Sequence, residues 1–142
     1  MSKQETPEDI SFSENDYISV KQLNMLYRLI GWDNNHRRTD AETKVMLAMS
    51  HYYVAAHTFE KALVGFTRVC GDPYVVQVLD VITHPDYRNR GIANACMDYV
   101  TEHLKQANYV SVTLTDGSGL ANFYQKSGFR NFEKAASMVW KP

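Results

Sequence analysis

Two cysteines, Cys70 and Cys96, are all that this 142-residue chain carries. A disulfide framework needs more of them and a zinc knuckle needs them closer together, so neither is expected. A reducing cytoplasm is the simplest setting. The five histidines are equally poor in pattern, with no His-x-x-x-His pair and no Cys/His cluster, so no metal site is predicted. Charge of one sign is missing too. Fifteen Lys and Arg stand against 16 Asp and Glu, a formal net charge of -1, which lacks the basic surplus that draws a protein to nucleic-acid phosphates. No apolar run approaches membrane-spanning length, so no membrane partner is expected. Residues 1–13 are polar, without the apolar stretch of a secretion signal. Repeats and low-complexity blocks are absent. What remains is 44% hydrophobic and 22% charged, the balance of an ordinary globule with room for one domain and one core.

Residues 1–12 mix Ser, Glu, Asp, Thr and Pro and read as a flexible tail, with a single domain over 13–142. Residues 17–20 read as a short strand. From Lys21, the residues Leu23, Leu26, Tyr27 and Ile30 recur at helical spacing, and Gly31 is a natural stop. A polar loop over 32–38 follows. Thr39-Asp40-Ala41-Glu42 then has the form of a capping box, opening a second helix to about Met49. Strands over 52–57, 63–69 and 74–83, with a turn at Gly71-Asp72-Pro73, imply antiparallel hairpins. Pro85 ends the last of them, because proline donates no ladder hydrogen bond and biases His84 to extended geometry. A third helix to about Ala107 turns Ile92, Cys96, Tyr99 or Val100, and Leu104 inward. It crosses over to a strand at 109–114, a connection that suits parallel pairing. Residues 120–126 make a short helix that Gly128 stops, and strands at 129–132 and 137–140 close the sheet. The fold class is α/β (α+β) with a mixed sheet.

The chain is organised around Arg88-Asn89-Arg90-Gly91-Ile92-Ala93, at the start of the third helix. Backbone N–H groups and the positive dipole end favour an anion there, and glycine removes the Cβ that would keep a phosphate off the backbone. A Walker loop is excluded, since no Gly-Lys-Ser/Thr follows, and two of the three glycines of a dinucleotide fingerprint are missing. By itself a pair of arginines in a turn is more often a solvated corner. A second block changes the balance: Asn122-Phe123-Tyr124-Gln125-Lys126-Ser127-Gly128-Phe129.

On these two blocks the chain resembles the Gcn5-related N-acetyltransferase (GNAT) superfamily. Its motif Arg/Gln-x-x-Gly-x-Gly/Ala is matched by Arg88, Gly91 and Ala93. Its Phe-Tyr-x-Lys-x-Gly-Phe block is matched by Phe123, Tyr124, Lys126, Gly128 and Phe129. The resemblance covers about residues 63–140. It implies a mostly antiparallel central sheet of about seven strands with four helices. It also implies acetyl transfer from acetyl-CoA, the co-substrate, to a primary amine by direct attack on the thioester, with no metal. Arg88, Asn89, Arg90, Gly91, Ile92, Ala93 and Lys126 would hold coenzyme A. The strand backbone at Val81, Ile82 and Thr83 would meet the pantetheine arm and the thioester oxygen. Tyr124 would be the general acid, since a phenol of pKa about 10 stays protonated at neutral pH. Without the resemblance Tyr124 reads as a core aromatic and Lys126 as a solvated lysine. Trp32, with His36, would line the amine pocket, though Trp32 reads equally as a core anchor.

Asp80 is the candidate base. Alternation places it on one face with Val76, Val78 and Ile82, where desolvation would make it a stronger base. Pairing with a basic neighbour is an equal reading, and a β-bulge would shift the phase. One departure is Gly117, where many relatives have asparagine. Further segments resemble small bacterial acetyltransferases similar to plastid arylalkylamine (serotonin) acetyltransferases, which puts a small amine ahead of a protein lysine. Superfamily members often dimerise, so a homodimer is allowed. The reading from another class is an acyl-CoA sensor without turnover.

Overall fold

The computed structural model describes residues 9–115, 121–131 and 138–141. Among them, five strands form one sheet in the order β1-β2-β3-β4-β5. They are β1 (Ile10–Glu14), β2 (Tyr52–Thr58), β3 (Leu63–Gly71), β4 (Val75–Thr83) and β5 (Ser111–Thr113). The first four pair antiparallel and β5 joins β4 in parallel, as a helical crossover requires. The helices are α1 (Val20–Leu29), α2 (Asp40–Met49), α3 (Ile92–Gln106) and α4 (Ala121–Gln125).

Local chemistry sets the helix ends. Ser19 caps α1, its hydroxyl accepting from the Gln22 amide at 3.3 Å. Gly31, with φ +84°, carries the chain out of it. Thr39 caps α2 through the Glu42 amide at 3.2 Å, but the box is only half formed. The Glu42 carboxylate goes instead to the Thr39 hydroxyl at 3.1 Å and the Arg37 guanidinium at 2.7 Å.

Three sequence expectations are corrected. Residues 17–20 are no strand, because Ile18 is buried and Ser19 is spent on the cap of α1. The first strand lies earlier, at Ile10–Glu14, overlapping the end of the stretch read as a tail, and β2 supplies its hydrogen-bonding partner. The sheet has five strands rather than seven among the described residues. Residues 129–131 and 138–140 are not strand, while Phe132 and Ser137 lie outside the described residues.

Each sheet face has its own core. On one, α3 packs Ile92, Cys96, Met97 and Val100 against Val54, Val76 and Val78. Of the two residues expected at that inner position, Val100 takes it and Met97 joins it, while Tyr99 is exposed and stacks on Phe12 with centroids 5.5 Å apart. On the other, α1 packs Leu23, Leu26 and Tyr27 against Phe66 and Ile82. Val78 and Ile82 thus lie on opposite faces although they are four positions apart, a spacing that alternation would put on one face. The cause is a bulge in β4. Phe66 pairs with Ile82 and Arg68 with Leu79, leaving Thr67 opposite both Asp80 and Val81. Asp80 adopts φ +59° to make the turn, a left-handed conformation that Asp tolerates better than most residues.

Candidate active site

β5 pairs with β4 only at Val75, Val76 and Gln77. Beyond Gln77 that edge of β4 faces a cleft of about 770 Å³, with Leu114 and Thr115 across it. The cleft brings together eleven of the candidate site residues named above: Trp32, Asp80, Val81, Ile82, Thr83, Arg88, Asn89, Gly91, Ile92, Ala93 and Tyr124. Arg90 and Lys126 are not among its lining. Arg90 sits 5.2 Å over the Tyr87 ring and Lys126 is solvent-exposed in the turn after α4. His36 is an exposed loop residue away from the lining, and Gly117 lies outside the described residues.

One side of the cleft is made by the turn into α3. A 3-10 turn at Pro85–Tyr87 follows β4, with the His84 Nδ1 accepting from the Asp86 amide at 3.1 Å. Left-handed Asn89 (φ +64°) and Gly91 (φ +76°) then swing the chain into the helix. Gly91 is the N-cap and offers no side chain to the first-turn amides. An anion of the ligand can take the place that a capping oxygen would fill. Gly65 lets the helix start close to the sheet, since a Cβ there would stand 2.7 Å from the Ile92 Cγ2. Tyr124, partly buried on α4, lies edge-to-face with Phe123 at 5.0 Å. The left-handed Gly128 (φ +95°) closes that helix, its amide donating to the Gln125 carbonyl at 3.0 Å.

The other side is built from side chains. The bulge turns Asp80 away from the Val76/Val78 face expected for it and toward α1. The Tyr27 hydroxyl donates to its Oδ2 at 2.5 Å, and the Arg68 Nε donates to the same atom at 2.6 Å. The Asp80 and Arg68 side chains are 15% and 14% exposed. The carboxylate is therefore ion-paired, as the second of the two readings had it. Burial first, then the Asp80 charge and hydrogen bond, push the Tyr27 phenol far above its ordinary value of 10, so it remains a donor. The Arg38 guanidinium lies 3.5 Å over the Tyr27 ring. Trp32, 54% exposed, stands 6.5 Å from that ring and lines the cleft beside Ile30, so it is a wall of the cleft and not a core anchor.

Sequence reasoning missed Tyr27 and Arg68 as parts of the site. A signal existed: a hydroxyl on the apolar stripe of α1 and a cation within the apolar run of β3 each need a buried partner.

Residues 48–131 match the acetyltransferase (GNAT) domain, more than half of the chain. The chain belongs to the GNAT family. GNAT likeness extends well beyond the matched segment. The uncharacterized N-acetyltransferase ycf52 of Porphyra purpurea is 27% identical, covering 94% of this chain and 78% of its own. The histone acetyltransferase TAP1 of Glycine max is 26% identical over 96% of this chain and 63% of its own. Among solved structures, a probable acetyltransferase from meticillin-resistant Staphylococcus aureus superposes with a TM-score of 0.79 at 20% identity. That superposition covers 94% of this chain and 99% of the other. The protein is thus an acetyltransferase of mixed α/β GNAT fold, a family whose co-substrate is acetyl-CoA. The residues present fit that group, with an uncapped helix start behind a left-handed glycine, an arginine beside it and a strand edge leading inward.

Proposed function

We propose that this protein moves the acetyl group of acetyl-CoA directly onto the primary amine of a small molecule. One observation carries the reading: a single cleft gathers an anion-binding helix start, a bulged strand edge, an ion-paired carboxylate and the phenol of Tyr124. In it, Arg88 and the first turn of α3 hold the diphosphate, with Arg90 and Lys126 at its periphery. Backbone groups at Val81, Ile82 and Thr83 take the pantetheine arm and the thioester oxygen, where one donor is worth roughly 3 kcal/mol. Acetyl-CoA supplies an activated acyl carbon. Asp80 receives the proton that the amine loses as its nitrogen bonds to that carbon. Tyr124 gives a proton to the sulfur as the C–S bond breaks, and solvent restores it.

The cysteines support direct attack. Cys96 is buried in the core, where burial pushes its thiol up to about 12, and Cys70 is not among the cleft lining. Neither can take the acetyl group as a thiolate. The apolar side chains of Ile30 and Trp32 along the acceptor side suit a small amine. The relatives include both classes by name, a histone acetyltransferase and the glucosamine-6-phosphate N-acetyltransferase of Arabidopsis thaliana.

The test is a panel of polyamines, arylalkylamines, amino acids, aminoglycosides and a lysine peptide with acetyl-CoA, read as thiol release. Turnover with the peptide alone moves the assignment to protein lysines. Coenzyme A binding with no turnover on any amine moves it to a sensor. Tyr124→Phe should slow acetylation about 100-fold while coenzyme A binding by calorimetry stays as in the wild type. An unchanged rate removes Tyr124 from the mechanism.

A further inference from the structure

We propose that Tyr27 and Arg68 are positioning residues that lock Asp80 by one oxygen and present the other, Oδ1, to the acceptor amine. The inference rests on the reading of Asp80 as the group that meets that amine. Both hydrogen bonds to the carboxylate end on Oδ2, at 2.5 Å from Tyr27 and 2.6 Å from Arg68, and Oδ1 receives none among the described residues. Two donors on one oxygen fix the plane of the group and leave the second oxygen as its acceptor. The backbone is held as well. Asp80 sits in the bulge at φ +59°, and the Thr67 hydroxyl donates to its carbonyl at 3.3 Å.

Asp80 lines the cleft, whereas Tyr27 and Arg68 do not. They therefore act on the amine only through Asp80. The charged and titratable groups around the carboxylate are Tyr27 from α1, Arg68 from β3 and, beyond the Tyr27 ring, Arg38 from the loop before α2. Arg68 ion-pairs with the carboxylate and adds a fixed charge beside it. Tyr27 adds direction without charge. The same tyrosine is gripped by Arg38 and lies near Trp32, so the loop that walls the acceptor side also braces the carboxylate. A site whose acceptor atom is held on two sides loses little order when the amine arrives.

The experiment compares Tyr27→Phe, Arg68→Gln, Arg68→Lys and Asp80→Asn, using the best amine from the panel. Tyr27→Phe removes one hydroxyl and keeps the ring in the core. It should lower kcat/KM for the amine about tenfold through a raised amine KM, and leave coenzyme A affinity unchanged. Arg68→Gln should raise the amine KM further, and Arg68→Lys should bring it partly back. Tyr27→Phe and Arg68→Lys with wild-type amine KM and kcat/KM would overturn the proposal. If Arg68→Gln does not fold, Arg68→Lys and Tyr27→Phe still decide it. Asp80→Asn separates the two claims. Wild-type activity in that variant sinks the role of Asp80 itself. A loss there beside unchanged Tyr27→Phe and Arg68→Lys sinks only the positioning.

Discussion

The two halves of the cleft are built on different principles. The half facing α3 comes mainly from one contiguous stretch, joined by Tyr124 from α4, and its main tools are backbone amides, two left-handed residues and an arginine. The half facing α1 is assembled from α1, β3, β4 and the loop before α2, and its tools are side chains. A backbone-made half tolerates change in most side chains but not in its glycine. A side-chain network tolerates little at any member, because each partner removed leaves a buried polar group unmet.

That contrast can be broken by substitution. The largest effect is expected at Asp80. Asp80→Asn should lower kcat/KM by about 10²- to 10⁴-fold, with coenzyme A affinity by calorimetry unchanged. An equal loss of coenzyme A binding would show that the halves are not separable. Next comes Gly91→Val, which forces a β-branched residue into φ +76°, a conformation costing roughly 1–2 kcal/mol, and sets methyl groups before the helix start. Coenzyme A affinity should fall about tenfold or more, as 1.4 kcal/mol corresponds to a factor of ten. Its kcat at saturating acetyl-CoA should change much less.

Arg88→Ala should be milder. Arg88 is exposed, so its attraction to a diphosphate is screened, and a loss of a few-fold in coenzyme A affinity at low salt should shrink further at 0.5 M. An effect insensitive to salt would mean that Arg88 acts through geometry rather than charge. The smallest effect lies at the far end of α3. His103 stacks on Tyr52 at 4.3 Å and its Nε2 is 2.9 Å from the Tyr109 hydroxyl. Burial, then His51, push its pKa below the ordinary 6.5. The unfolded chain then binds more protons, so this contribution to stability is present above pH 6.5 and lost as pH falls through the folded value. Tm should drop modestly between pH 7 and pH 5, and by less in His103→Gln. That variant should bind coenzyme A normally at pH 7, since only the first turn of α3 serves the cleft.

Much of this was legible in the chain. Helical spacing found α1 and α3, a capping pattern found α2, and alternating apolar runs found β2, β3 and β4. Arg88, Asn89, Gly91, Ile92, Ala93 and Tyr124 were picked out together, and the fold brings them to one cleft. β1 was missed because Ile10–Glu14 holds only two apolar side chains, and its order comes from hydrogen bonds to β2, far along the chain. Asp80 was placed on the wrong face because alternation assumes an unbroken ladder. One extra residue opposite Thr67 rotates everything after it.

From sequence alone followed the features that depend on neighbours: helix caps, hairpin turns, the proline stop and the glycine ahead of α3. Each rests on φ, on a missing donor or on a side chain reaching three residues along, so a short window contains its cause. Only tertiary structure decided that Asp80 meets Tyr27, 53 residues away, and Arg68, 12 residues away. Those contacts depend on the register between β3 and β4 and on how α1 lies across the sheet. Register and packing are settled by the whole core at once, so no local window carries them.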